Sequence, residues 1–278
     1  MISTYFYVLK AHNSKSTVLV SSRKVLSPKK VEKKRILIST ILTDDLQNYA
    51  KGAEKLIKSI HGKTKNIDGL EFKILEIDSK PIADLEIRKK LEDAGWTFVR
   101  LPRIPPRNED ATFPRFRDQF TKLHFWNMTD YERVIYFDSD CLVVGEITEL
   151  ITMNITSKPL WVTRDLRGAR WVDAFNMGVF VVAPSRTEFE RLLKDKDDPR
   201  VEFESTMSEQ GFLNVIYQGN WGEIGFRNNA NLAVYTDDRP YWDRHEAMGI
   251  NVVHFTMSKP WQCSDPYQAI CELWSEEK

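Results

Sequence analysis

This sequence has no excess of either charge. Its 278 residues carry 40 Lys and Arg against 40 Asp and Glu. No basic excess is present of the kind that binding along a nucleic acid requires, so nucleic acid is not expected as a partner. Cysteine is scarce. Cys141, Cys263 and Cys271 are scattered, odd in number and without CxxC spacing. They indicate neither a zinc site nor a disulfide framework, and the simplest reading is a reducing compartment. No apolar run reaches the roughly 20 residues of a membrane span. Met1–Val8 is partly apolar but lacks a basic flank and soon meets Lys10, His12 and Lys15, unlike a signal peptide. The expectation is a soluble, cytoplasmic chain with no membrane span. Glycine-rich phosphate loops are absent as well. Neither GxGxxG nor a P-loop follows any strand-like run, which excludes those ways of holding a dinucleotide or ATP. No repeat or low-complexity segment is visible.

What is present is an ordinary globular balance, 42% hydrophobic with 12 Gly and 12 Pro. It is enough for one large α/β domain or two small ones. The most informative stretch is Arg133-Val134-Ile135-Tyr136-Phe137-Asp138-Ser139-Asp140. An apolar run too short for a helix reads as a buried strand and ends in two carboxylates at i and i+2. In extended chain these point to one side, at the carboxyl end of a strand, where open α/β sheets place ligands. Two oxygen ligands beside a diphosphate suit a hard divalent cation. Asp-Ser-Asp is equally good turn chemistry, and these residues alone leave both readings open.

Taken in order, residues 1–34 form an extension. Tyr5–Leu9 and Thr17–Ser21 have hairpin composition, and a basic connector runs from Arg23 to Arg35 around Pro28. A solvated linker is the default for such a run, an anionic surface the alternative. Strands are expected at Arg35–Ile41, Leu70–Ile77 and Trp96–Leu101. Helices are expected at Tyr49–His61 and at Ala83–Ala94, the latter closed by Gly95. This alternation implies a parallel, doubly wound sheet. A proline-rich loop, Pro102–Pro114, precedes a helix at Arg117–Met128 that carries Lys122. Next come strand Pro159–Thr163, loop Arg164–Asp173, strand Phe175–Val182, and helices at Arg186–Lys194 and Ser208–Tyr217. Leu232–Tyr235, a polar and aromatic loop at Asp237–Trp242 and strand Gly249–His254 complete the core. His254 ends its strand as Asp138 ends its own, which makes it a third candidate ligand. Lys259 follows, placed to meet an anionic diphosphate.

Read together, these stretches resemble glycosyltransferase family 8, the glycogenin-like group, over about residues 35–262. Tyr49-Ala50-Lys51-Gly52-Ala53, Phe120-Thr121-Lys122-Leu123-His124-Phe125-Trp126, Asp138-Ser139-Asp140, Phe175-Asn176-Met177-Gly178-Val179-Phe180, Glu209-Gln210-Gly211-Phe212-Leu213-Asn214 and Val253-His254-Phe255 with Lys259-Pro260-Trp261 occur in the family's order. The resemblance implies an α/β GT-A fold: a single Rossmann-like nucleotide-binding domain with a mostly parallel central sheet, followed by a C-terminal helix at 263–278 packed on it. It implies a retaining transferase moving a hexose, glucose by first choice, from a UDP-sugar to a glycan or protein hydroxyl. It also implies Mn²⁺ or another divalent cation, and a homodimer. By position, Asp138, Asp140 and His254 are the metal ligands. Lys259 binds the diphosphate. Leu42, Thr43, Tyr49 and Ser139 lie at the nucleotide. Lys122, Asn176, Glu209 and Gln210 surround the donor sugar. The chain departs from glycogenins in having Glu209 for Asp, in two extra residues before Tyr49, and in a shorter segment after His254 that lacks glycine and is closer in length to plant xylan glucuronosyltransferases. Tyr235 and Tyr241 are the nearest candidates for a self-glucosylated tyrosine. A UDP-glucuronate or UDP-galactose transferase, or a non-catalytic sugar-binding scaffold on the same fold, is the alternative.

Overall fold

The computed structural model describes residues 35–43, 46–64 and 68–276. The hairpin and basic connector expected within residues 1–34, and Asp44-Asp45 in the first turn, lie outside the described residues. The chain opens with β1 (Ile36–Ile41), α1 (Leu46–Lys63), β2 (Leu70–Ile77), α2 (Leu85–Ala94) and β3 (Thr97–Leu101). Local chemistry sets these bounds. The Asp84 carboxylate accepts hydrogen bonds from the amides of Glu86 and Ile87, and Gly95 closes α2 at φ 114°, a left-handed conformation open to glycine. β4 (Arg133–Phe137) and β5 (Cys141–Val143) follow, then α3 (Thr148–Thr152), β6 (Trp161–Arg167) and β7 (Arg170–Val182). The rest is α4 (Arg186–Asp197), α5 (Ser208–Ile216), β8 (Gly222–Glu223), β9 (Ala230–Asn231), α6 (Leu232–Asp237), α7 (Arg239–Ala247), β10 (Val252–His254) and α8 (Gln268–Glu276).

Seven strands form the central sheet in the order β3-β2-β1-β4-β7-β6-β8. Every neighbouring pair is parallel except those that β7 makes with β4 and β6. This is the mostly parallel α/β sheet of a GT-A fold. The strand order runs outward from β1 in one direction and from β4 in the other, so the two lie side by side at the switch point where such sheets bind ligands. Strand alternation divides the core. Ile135 and Phe137 face the cluster built on α1 with Ala53, Leu56 and Ile57. Val134 and Tyr136 face the opposite cluster, with Phe120, Phe125, Trp126 and Phe212. A second sheet, β5-β10-β9, packs with Trp242, Phe255, Ile270 and Cys271 in a third cluster.

Four sequence expectations are corrected. Gln119–Asn127 is a 3₁₀ helix rather than an α-helix, with residues Phe120 through Trp126 all buried. A segment covered on every side has no amphipathic stripe to impose a 3.6 repeat, and its packing decides its form. The expected loop Arg164–Asp173 is mostly strand. β6 and β7 run on past the sheet as a hairpin, pairing Arg167 with Arg170 across Gly168 (φ 54°) and Ala169 (φ 58°), the left-handed pair that a tight hairpin turn needs. The expected loop at Asp237–Trp242 is mostly helix: the Asp238 carboxylate accepts the Tyr241 amide and Pro240 occupies the first turn of α7. Finally, Cys263 and Cys271 form a disulfide. The folding back of α8 brings them together, and the cysteine-based reading of a reducing compartment loses its basis.

Candidate active site

β4 ends at Phe137, and Asp138-Ser139-Asp140 forms a turn closed by the Cys141 amide donating to the Asp138 carbonyl at 3.0 Å. The turn reading of the motif holds, with the strand ending one residue before it. Asp138 continues the alternation of β4 onto the Tyr136 face, and the turn carries Asp140 round to meet it. Helix α1 presses on this turn. A methyl group at Gly52 would lie 2.2 Å from the Ser139 carbonyl oxygen. His254 arrives from the second sheet, opposite Cys141 in the antiparallel pairing of β10 with β5. The Phe255 amide donates to the Asp140 carbonyl at 3.0 Å.

Each aspartate divides its oxygens. Asp138 Oδ1 accepts from the Tyr136 hydroxyl at 2.5 Å and faces Lys122 Nζ at 3.0 Å, while Oδ2 faces His254 Nε2 at 3.7 Å. Asp140 Oδ2 takes the Lys259 ammonium, while Oδ1 faces His254 Nε2 at 3.4 Å. One oxygen of each carboxylate is thus already paired with a protein cation, and the other faces the imidazole Nε2. Burial pushes the Asp140 carboxyl up, but Lys259 and His254 outweigh it and hold the group well below the usual range. An imidazole nitrogen faced by one oxygen of each of two carboxylates is donor chemistry that fits a divalent cation. Cys141 Sγ lies within 4.8 Å of a ligand atom of Asp140 and one of His254, which are that close to each other as well. Burial keeps its thiol protonated, and it points at the Gly178 carbonyl.

Lys122 is 3% exposed and bridges Asp138 and Glu209, 3.0 Å from each. Burial pulls its ammonium down, but the two carboxylates prevail and keep it charged. Shared with Asp138, that one charge offsets the burial of Glu209 only in part, and the Glu209 carboxyl is raised. Ser208 takes φ 52° at the start of α5, with its hydroxyl donating to the Phe116 carbonyl at 2.7 Å. Gln210 accepts the Met177 amide at 3.0 Å and reaches Asp165 Oδ2 at 3.4 Å.

Asp138, Asp140, His254, Lys259, Lys122, Glu209 and Gln210 line one cavity of about 520 Å³, together with Thr43, Tyr49, Ser139 and Asn176. The structure therefore gathers every site residue expected from the sequence except Leu42. Leu42 packs in the core with Ala50 and Ala53 and does not line the cavity, because the chain leaving β1 turns its side chain toward α1. Tyr49 packs edge-on against Trp261 at 5.0 Å and so meets the segment that carries Lys259. Sequence reasoning missed Asp165, a buried cavity-lining carboxyl raised by burial, because its stretch reads as a polar loop. It also missed Tyr136, which reads as core, and Asn229, which lies in no recognisable motif.

The sequence pattern of Glycosyl transferase family 8 matches residues 41–264. The chain belongs to this family. It is 27% identical over 243 residues to rabbit (Oryctolagus cuniculus) glycogenin-1, covering 80% of this chain and 64% of that protein. It is 30% identical over 247 residues to Caenorhabditis elegans glycogenin-1, covering 81% and 50%. A UDP-glucuronate:xylan alpha-glucuronosyltransferase 2 from Arabidopsis thaliana is 26% identical over 231 residues, covering 80% and 35%. The chain thus spans between about a third and two thirds of these relatives. Among solved structures, the galactosyltransferase LgtC with donor and acceptor sugar analogues superposes at TM-score 0.59 and 20% identity, covering 86% of this chain and 94% of that one. The glycosyltransferase GlyE of Streptococcus pneumoniae superposes at 0.61 and 19%, covering 88% and 60%. At these identities the likeness is one of fold. Among the described residues, no helix is long and apolar enough to cross a membrane.

Proposed function

We propose that this family 8 domain is a metal-dependent, retaining glycosyltransferase that moves a hexose from a UDP-sugar to a hydroxyl of a glycan or protein. The observation that carries the reading is His254 Nε2 faced by Asp138 Oδ2 and by Asp140 Oδ1 at the end of β4, with Lys122 and Lys259 paired to the same two carboxylates. A divalent cation, Mn²⁺ by first choice, held by those three residues supplies positive charge beside the departing diphosphate. Lys259 adds a second positive charge there. Thr43, Tyr49 and Ser139 bind the nucleotide. Asn176, Gln210, Glu209 and Lys122 orient the sugar, and Asp165 joins them.

Glu209 is ion-paired with Lys122, and both Asp165 oxygens accept hydrogen bonds, from the Leu166 amide and from Gln210, so neither is a free carboxylate nucleophile. This supports front-face substitution. The bond from the anomeric carbon to the diphosphate oxygen breaks, the acceptor oxygen bonds on the same face, and its proton passes to the departing phosphate oxygen. Glucose is the first choice of sugar on the resemblance to glycogenins, with glucuronate and galactose as the alternatives.

The test is UDP release by purified protein with Mn²⁺ across UDP-glucose, UDP-galactose, UDP-xylose, UDP-glucuronate and UDP-N-acetylglucosamine. One donor is expected to give release that EDTA stops and Asp140→Ala abolishes. Full activity in Asp140→Ala overturns the site assignment. Binding of UDP and Mn²⁺ without release from any donor, with a panel of simple sugar acceptors present, favours a scaffold.

A further inference from the structure

Asn229 is fully buried in the tight turn before β9, and its amide bridges two site residues. Asn229 Oδ1 lies 2.9 Å from His254 Nδ1, and Asn229 Nδ2 donates to Asn176 Oδ1 at 3.0 Å. Asn176 Oδ1 also accepts the backbone amide of Gly178 at 2.9 Å. That amide can only donate, so it fixes which end of Asn176 faces Asn229. Asn229 must then present its NH₂ to Asn176 and its carbonyl to His254. A carbonyl only accepts, so His254 Nδ1 must carry a hydrogen. In the neutral ring this leaves the lone pair on Nε2, the nitrogen that faces Asp138 and Asp140. We infer that Asn229 is a positioning residue that sets the tautomer of His254, passing the direction of the Gly178 amide through two asparagines to the imidazole.

Gly178 serves the same end sterically. A methyl group there would stand 1.9 Å from His254 Cε1, inside the ring's own volume. The relay also ties the donor pocket to the three-residue ligand set, because Asn176 lines the cavity. A ligating histidine whose other nitrogen is held in this way gains a fixed ring orientation, and loss of such a partner typically costs 10–100-fold in metal affinity.

The inference rests on the metal-binding reading above, and its test separates the two. Protein labelled with ¹⁵N-histidine is examined metal-free by long-range ¹H–¹⁵N NMR at about pH 8, and Mn²⁺ affinity is measured by EPR of the free ion. The wild type is expected to show His254 hydrogen on Nδ1. Asn229→Ala should lose that preference and bind Mn²⁺ about 10–100-fold more weakly. Asn229→Asp still accepts from Nδ1 and should keep both the tautomer and Mn²⁺ affinity within a few-fold. Hydrogen on Nε2 in the wild type overturns the inference, as does unchanged Mn²⁺ affinity in a folded Asn229→Ala. If Asn229→Ala does not fold, Asn229→Asp decides through its tautomer. Hydrogen on Nδ1 in a wild type that binds no Mn²⁺ sinks the metal reading and leaves the tautomer relay standing.

Discussion

Lys122 shows how far a single side chain depends on its surroundings. In the sequence it is one cation on a segment of mixed character, and a solvated charge is the plain reading. In the structure it is buried between Asp138 and Glu209, with the Tyr136 ring 4.9 Å away. A buried ammonium is tolerated only because both carboxylates neutralise it. Removing it strands the buried Glu209 carboxyl and takes the ammonium from part-buried Asp138, and breaking a buried pair typically costs about 3–5 kcal/mol. Lys122→Met should therefore lower the urea unfolding free energy by an amount of that order at pH 7. Adding Glu209→Gln should recover part of the loss by removing one stranded charge. Equal stability of the single and double variants would show that Glu209 is not held by this pair. Glu209 and Gln210 were legible because they sit in one short string. Asp165 was not, since nothing local marks a carboxylate that becomes buried when the β6–β7 hairpin folds over the cavity.

At the scale of elements, the stretch that leads from β3 into the 3₁₀ helix Gln119–Asn127 is held by charge. Asp118, 7% exposed, accepts from Lys80 at 2.6 Å and from Arg103 at 2.5 Å, and Arg103 also pairs with Glu109. Burial pushes the Asp118 carboxyl up, but Lys80 and Arg103 overcome this and hold it below its ordinary value. A carboxyl lowered in the folded state contributes its stability above its unfolded pKa of about 3.9 and loses it as pH falls through the folded value. Lys80 is more than half exposed, so screening reduces its share. Asp118→Asn is expected to cost about 1–2 kcal/mol at pH 7, with the gap to wild type closing as pH drops below about 4. Urea titrations at several pH values check this, and a gap that does not change with pH counts against it. The same segment carries Gln119, which donates to Thr43 Oγ1 at 3.3 Å in the cavity wall. The 3₁₀ form of Gln119–Asn127 was not legible, because a helix buried all round carries no periodic signal.

For the whole molecule, the cavity lies where β1 and β4 adjoin and where the second sheet meets the first. A ligand that bridges these parts binds only the folded chain. UDP with Mn²⁺ at about one hundred times its Kd should add about 2.7 kcal/mol, or roughly 5–10 °C in Tm for a domain of this size. EDTA should remove the metal's part of that increment in a thermal scan. A Tm unmoved by UDP and Mn²⁺ would argue against the site. The sequence by itself determined the alternation of strands and helices, the strand end that carries Asp138, and the main polar and charged residues of the cavity. Those features are written in local periodicity and in short strings such as Asp138-Ser139-Asp140. Tertiary structure alone decided that His254 faces that string, because only the pairing of β10 with β5 brings His254 opposite Cys141. It alone placed Leu42 in the core, joined Cys263 to Cys271, and set Asn229 between His254 and Asn176. Each of these depends on contacts between segments far apart in sequence or on a helix folding back, and local chemistry leaves no trace of either.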